Sequence, residues 1–265
     1  MTPPTYNRTQ TDPPLPPEES LPTMYDLPSE NPEDPGLDDF HAWQPQLLQE
    51  TFNPPNYRTN QVYSAMDLHL YYDVNHPLWY KKPDWFGVVG VSRLYRGEDL
   101  RMSYVMWQEG VAPFVVVELL SPGTEDEDLG TRPRQEGRPP TKWEVYEQIL
   151  RIPYYVVFSR YTNELQVFHL LGGHYERVNL SNNRVLMPEI GLSLGVWEGE
   201  YRGLNRPWLR WMTLEGELIL ISAEEVEIQR QEARTQRQRA DLAEERAQQL
   251  AERLRALGID PDALS

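Results

Sequence analysis

Three residues of this chain are of types that could do chemistry together. Asp84 follows Pro83, just ahead of the apolar run 85–91, and Glu118 stands inside the run FVVVELL. An ionised carboxylate among apolar neighbours is costly unless it is paired or holds a metal. Glu118 therefore has two readings, a ligand or a buried ion pair with an arginine. Asp84 taken alone reads equally well as a residue of the turn that starts a strand. The third residue is Lys142. The chain has 22 arginines and only three lysines, Lys81, Lys82 and Lys142. Where arginine is the habitual cation, a lysine points to a need for a compact, titratable ammonium. The plainer reading of Lys142 is a solvent-exposed helix position. Asp73, in an earlier β-rich stretch, is a weaker third carboxylate.

These side chains need elements to position them. Short β-rich stretches run over 62–73, 85–91, 102–107, 114–120, 154–159, 164–171 and 174–180, with turn signals between them. Asn163 marks one hairpin turn and Gly172-Gly173 a second. The stretch 114–120 is apolar on both faces, which suits a central buried strand. One helix interrupts the strands. Thr141 is its expected N-cap, with Glu144 as capping-box partner. Trp143, Tyr146, Ile149 and Leu150 form its apolar face, and Pro153 ends it. Strand, helix, strand over 114–159 is a crossover unit, so this part of the sheet is expected to be parallel and the later hairpins antiparallel. The class is mixed α/β. Trp208–Trp211 and the stretch 218–221 read as a last hairpin or as a strand leading into a helix.

The ends differ from the middle. Residues 1–50 hold ten acids and one base, Arg8; residues 51–214 hold 19 acids and 17 bases. The net charge of −16 thus belongs mainly to the termini, and a near-neutral middle neither favours nor forbids nucleic acid. Residues 1–55, rich in Pro, Asp and Glu, are expected to be mostly disordered. The alternative is an arm that docks Met24-Tyr25 and Trp43 on the body. Residues 223–257 have long-helix composition, without Gly or Pro. Ala243, Ala247, Leu250, Leu254 and Leu257 keep coiled-coil spacing, but Gln236 and Gln229 interrupt the seam upstream. A solvated single helix and a dimeric coiled coil remain equal readings, with Gly258 and Pro261 as the stop.

Several function classes fall away. There is no cysteine, so disulfides and thiolate zinc sites are excluded and a reducing, cytoplasmic setting is expected. No apolar run approaches the roughly 20 residues of a membrane span. The first residues have neither the basic nor the apolar region of a signal peptide. There is no P-loop, HExxH or GxSxG motif. His41, His69, His76, His169 and His174 are scattered and read as surface or strand polar residues.

The stretches PDW-x-x-V, VVELLSPGTEDEDLG and KWEVYEQILRIPYYVVFSRYTNELQVFHL resemble the bacterial Uma-type putative restriction endonuclease family, of the PD-(D/E)XK superfamily. WLRWMTLEGELIL resembles family members too, so the likeness spans about residues 60–221. It implies a restriction-endonuclease-like mixed sheet flanked by helices. It also implies a nuclease site of Asp84, Glu118 and Lys142, with Ser121, Asp128 and Tyr146 as further motif positions. Two departures stand out. The position two after Glu118, where the superfamily has its lysine, is Leu120; the Uma-type family is understood to carry it on the following helix. The insertion GTRPRQEGRPPT lies between Asp128 and Lys142, which leaves 125–128 open to reading as a solvated acidic loop.

Domains are accordingly expected at 1–55 (disordered), 56–222 (nuclease-like) and 223–265 (helix). If Asp84 and Glu118 converge, they form a hard oxygen site suited to Mg²⁺ or Mn²⁺. The ion would lower the pKa of a bound water, and Lys142 would orient that water or stabilise the pentavalent phosphorus. Arg132, Arg134 and Arg138, and Arg202, Arg206 and Arg210 among tryptophans, are candidates for DNA phosphates. The expected activity is metal-dependent DNA hydrolysis, in a homo-oligomer for which the terminal helix is one candidate joint. The alternative is an inactive nuclease fold that serves as an interaction or oligomerisation module.

Overall fold

The computed structural model describes residues 21–23, 26, 39–120, 125–131 and 137–256. Two compact units divide the chain, Met1–Ile219 and Leu220–Ser265. The first is mixed α/β. Its main sheet has six strands, in the order β1 (Val62–Met66), β4 (Trp85–Val89), β6 (Val115–Leu120), β7 (Tyr154–Ser159), β8 (Leu165–Leu171) and β9 (His174–Arg177). A small sheet joins β2 (Leu70–Tyr71), β3 (Tyr80–Lys81) and β5 (Tyr104–Val105), and β5 runs straight into the one-turn helix α2 (Met106–Glu109). A third sheet holds β10 (Arg184–Met187), β11 (Leu192–Tyr201) and β12 (Leu204–Thr213).

β4, β6 and β7 are buried along their whole length. Their Val, Phe, Leu and Trp side chains each contribute about 1.5–3 kcal/mol on burial. β6 and β7 pair parallel, as the crossover requires, and every other pairing in the main sheet is antiparallel. Asn163 and Gly172-Gly173 take positive φ in the turns on either side of β8, as expected of those residue types.

The stretch 62–73 does not make one strand. Asp67 takes a positive φ, and its N–H donates to Pro83 O, so the chain bends and β2 joins a different sheet from β1. Residues 181–207, which carry no strong alternation, form β10, β11 and the start of β12, the last two a hairpin of ten-residue strands. Arg202 and Gly203, both at positive φ, make its two-residue turn. Beyond β12 the chain turns back on it only as an isolated bridge, Met212 to Leu218, with Ile219 N–H donating to Trp211 O at 3.1 Å.

The acidic head needs correction over its last part. α1 (Asp39–Thr51) is a helix rather than disordered chain. Phe40, Gln44, Leu47, Leu48 and Thr51 share one buried face at helical spacing. Phe40 stacks on Trp208 at 5.9 Å, and Phe52 meets Trp85 and Trp211 at 5.1 Å each. Gln44 clamps β12: its Nε2 donates to Leu209 O, and its Oε1 accepts from Leu209 N–H, both at 2.8 Å. A few large side chains and one amide outweigh the unpromising composition. Trp43 is only half-buried, and Met24-Tyr25 lie outside the described residues.

The second unit holds α5 (Ser222–Ala256), 35 residues of which none is buried. Leu257, Gly258 and Pro261 lie outside the described residues. Among the described residues, no helix is long and apolar enough to cross a membrane.

Candidate active site

β4 and β6 run antiparallel with Trp85 opposite Val117. One step further along this register sets Asp84 opposite Glu118. The Asp84 N–H points at Glu118 Oε2, 3.4 Å away, and the Leu119 N–H donates to Asp84 Oδ2 at 2.6 Å. A single turn of the register thus brings the two carboxylates together at the end of the sheet.

The crossover between β6 and β7 supplies the cation. Thr141 and Glu144 form the expected capping box around α4 (Lys142–Glu144). The helix then widens into a π turn over Val145–Ile149, closed by Leu150 N–H to Val145 O at 2.8 Å. This changes the expected apolar face. Val145, Tyr146 and Leu150 are buried, whereas Ile149 is exposed. The cap fixes Lys142 at the sheet end, and its Nζ lies 2.9 Å from Glu118 Oε2 and 2.8 Å from Asp128 Oδ1. Tyr146 O–H, one turn on, donates to Glu118 Oε1 at 2.8 Å.

Asp128 belongs to the group rather than to a solvated loop. α3 (Glu125–Asp128) folds back so that Asp128 is 1 % exposed, and its carbonyl accepts from Tyr155 O–H at 2.8 Å. Gly130 ends this turn at φ +69°, and a Cβ there would lie 2.7 Å from the Trp143 ring. Glycine is therefore what lets α3 close onto α4.

Burial, the mutual repulsion of the acids and the shared ammonium set the electrostatics. Glu118 is fully buried, and burial pushes its carboxyl up to about 8, against the pull of Lys142. Asp84 is raised by burial too, opposed by Lys142, the Leu119 N–H and His41. Burial disfavours the charge of Lys142, but Glu118, Asp128 and Asp84 together outweigh it and hold the ammonium well above the usual lysine range. These directions agree: three carboxylates share one ammonium, so the cation is favoured and one carboxyl is disfavoured as an anion.

The donor set fits a hard divalent ion. Asp84, Glu118 and Asp128 offer only oxygens. Asp128 Oδ1 is buried without an aligned hydrogen bond, since the Lys142 ammonium is close but poorly directed. Among the described residues, no three His, Cys, Asp or Glu stand as a metal cage, and Lys142 lies between Glu118 and Asp128.

Other sequence candidates fall elsewhere. The Asp73 carboxylate accepts from Asn75 N–H and meets His76 Nδ1 at 2.7 Å, so it caps a turn instead of joining the group. Ser121, Arg132 and Arg134 lie outside the described residues, and Arg138 is exposed. Arg210 is fully buried over the Trp197 ring and donates to Ile219 O, out of reach of any phosphate. Arg202 is exposed and donates to Gln46.

Two nearby residues escaped the sequence reading. His41 Nε2, from α1, lies 3.0 Å from Leu119 O. Lys81 Nζ pairs with Glu127 Oε1 at 3.1 Å, close enough to feel Lys142 and Glu118, and burial lowers its pKa. The scarcity of lysine was a signal for Lys81, which adjoins the Pro83-Asp84 motif. No signal existed for His41, whose segment reads as disordered.

A family model matches residues 15–205, described as "Uma2: Putative restriction endonuclease". The chain belongs to the Uma2 family. That family lies in the restriction-endonuclease-like superfamily, in keeping with the mixed sheet and its crossover. The Uma2 match begins well before residue 60, so it takes in α1, and it stops inside β12. Among curated proteins no match to the chain is found.

Proposed function

We propose that this Uma2 protein is a Mg²⁺- or Mn²⁺-dependent endonuclease that hydrolyses phosphodiester bonds of DNA. The observation that supports it most is the imbalance of three carboxylates around one ammonium, Glu118 and Asp128 paired with Lys142 and Asp84 near enough to act on its charge. A structural ion pair needs one acid per base, and surplus buried negative charge is destabilising unless a further cation neutralises it. Asp84, Glu118 and Asp128 would hold the ion, whose chemistry is to acidify a bound water and offset charge on the phosphate. Lys142 keeps its proton at neutral pH and can donate to a phosphate oxygen or to the attacking water. Tyr146 holds one oxygen of Glu118 and so fixes the direction in which the other faces. The lack of cysteine fits work in a reducing cytoplasm.

A second reading is an inactive nuclease fold that acts as an interaction module. It draws on the ion pairs that already engage Lys142 and on the net charge of −16. Supercoiled plasmid incubated with the protein and Mg²⁺ or Mn²⁺, beside Asp84→Ala and Glu118→Ala, separates the two. Nicking by the wild type alone is the expected result. Nicking indifferent to both substitutions rejects the site, and no nicking together with no heat of Mn²⁺ binding favours the second reading.

A further inference from the structure

We infer that Arg160 and Arg206 form a seat for a backbone phosphate of the nucleic acid, beside the carboxylate group and not within it. Both guanidinium groups lie by the Phe40 ring, and Arg160 also lies 4.8 Å from the Tyr161 centroid and donates to Tyr161 Oη at 3.0 Å. Arg206 Cζ lies 4.4 Å from the centroid of Phe40 and 5.3 Å from that of Trp208, and Arg160 Cζ lies 5.7 Å from Phe40. Arg206 donates to Arg160 O at 3.4 Å and to its neighbour Pro207 O at 3.3 Å. Its contacts are thus carbonyls and rings, with no carboxylate among the described residues. Arg206 is half-buried, and both desolvation and the Arg160 charge disfavour its proton. Aromatic faces offset part of that cost, and an anion between the two cations would offset the rest.

The position fits a substrate strand. Arg160 follows Ser159, the last residue of β7, which pairs with Leu120 at the end of β6. It stands three residues beyond Val157, the partner of Glu118, or about 10 Å along the strand direction. Phe40, the ring under both cations, touches His41 edge-on at 6.0 Å, and His41 bonds Leu119 O next to Glu118. The cations and the acids therefore share one end of the sheet but on opposite faces, since Phe40 packs on Phe158, the partner of Leu119, whereas Glu118 pairs with Val157; a strand laid across that end would pass both. Of the three arginines near the tryptophans, only Arg206 is so placed. Arg160, from a strand end with no motif, joins it through the fold.

The identity of the ligand rests on the nuclease reading, but binding can be read without cleavage. Anisotropy of a short fluorescein-labelled DNA duplex in EDTA, across roughly 50–200 mM salt, gives the slope of log K against log salt. Arg160→Gln/Arg206→Gln is expected to reduce the slope by about 0.9, the loss of one phosphate contact, while Arg160→Lys/Arg206→Lys keeps it. Arg160→Gln alone leaves the Arg206 stack in place and should give part of that reduction, which keeps the test open if the double variant folds poorly. Unchanged slopes in the glutamine variants overturn the seat while metal-dependent nicking by wild type would leave the nuclease reading standing. Absence of DNA binding by wild type also overturns it.

Discussion

Replacing Glu118 by glutamine should stabilise the metal-free protein, and only above acid pH. In the fold the carboxyl titrates near about 8, against 4.5 for the free group. Its folded pKa is raised, so the folded state holds a proton that the unfolded chain has released between those values. Wild-type stability therefore falls as pH rises through that window. At about 1.4 kcal/mol per unit, the shift bounds the cost at about 5 kcal/mol. Glutamine removes that cost, which already includes the opposing pull of Lys142 on the carboxylate. The gain at pH 8 is then about 4–5 kcal/mol, or roughly 8–20 °C in Tm. Below pH 4.5 both proteins carry a neutral side chain at this position and the gain disappears. Thermal unfolding in EDTA between pH 4 and 8.5 measures the gap. A gap that does not change with pH, or a variant less stable than wild type at pH 8, would refute an excess of buried negative charge at this site.

Three further outcomes are expected. Mn²⁺ at about a hundredfold over its Kd should add about 2.7 kcal/mol to wild-type stability and far less to Asp84→Ala, as read by melting with and without the ion. Lys142→Met should cost about 3–5 kcal/mol without metal, because three carboxylates lose their shared ammonium; denaturant unfolding measures this, and a neutral effect would mean the lysine is an ornament of the surface. The coiled-coil reading of α5, in which Ala243, Ala247, Leu250 and Leu254 repeat at coiled-coil spacing on a helix with no buried residue, predicts that ending the chain at Ser222 lowers the mass in light scattering; an unchanged mass rules out pairing through α5.

Local features were legible where one residue type meets one requirement. Thr141 and Glu144 announce a helix start because only a short oxygen side chain and a carboxylate three residues on can satisfy the free N–H groups there. Asn163 and Gly172-Gly173 announce turns because they tolerate positive φ. The π turn had no such mark. A helical spacing of apolar residues gives no sign of one inserted residue, so it places Ile149 on the apolar face although the residue is exposed.

The site divides in the same way. That Glu118 must find a partner follows from its chemistry and its apolar neighbours, and the family likeness pointed to Asp84 and Lys142. Asp128 remained undecided in sequence, since four successive acids favour solvent on composition. It is buried because Tyr155 holds its backbone, Lys142 meets its carboxylate and Gly130 allows Trp143 to close over the turn. α1 is hidden in the sequence for the converse reason: sparse apolar residues offer little local stability, and Phe40, Gln44 and Phe52 gain theirs only against Trp208, Leu209 and Trp85, which lie far along the chain. Alone, the amino-acid order determined which side chains could not rest unpaired in a buried sheet. Tertiary structure decided which partners reached them, because contacts between distant segments depend on how strands register and helices dock.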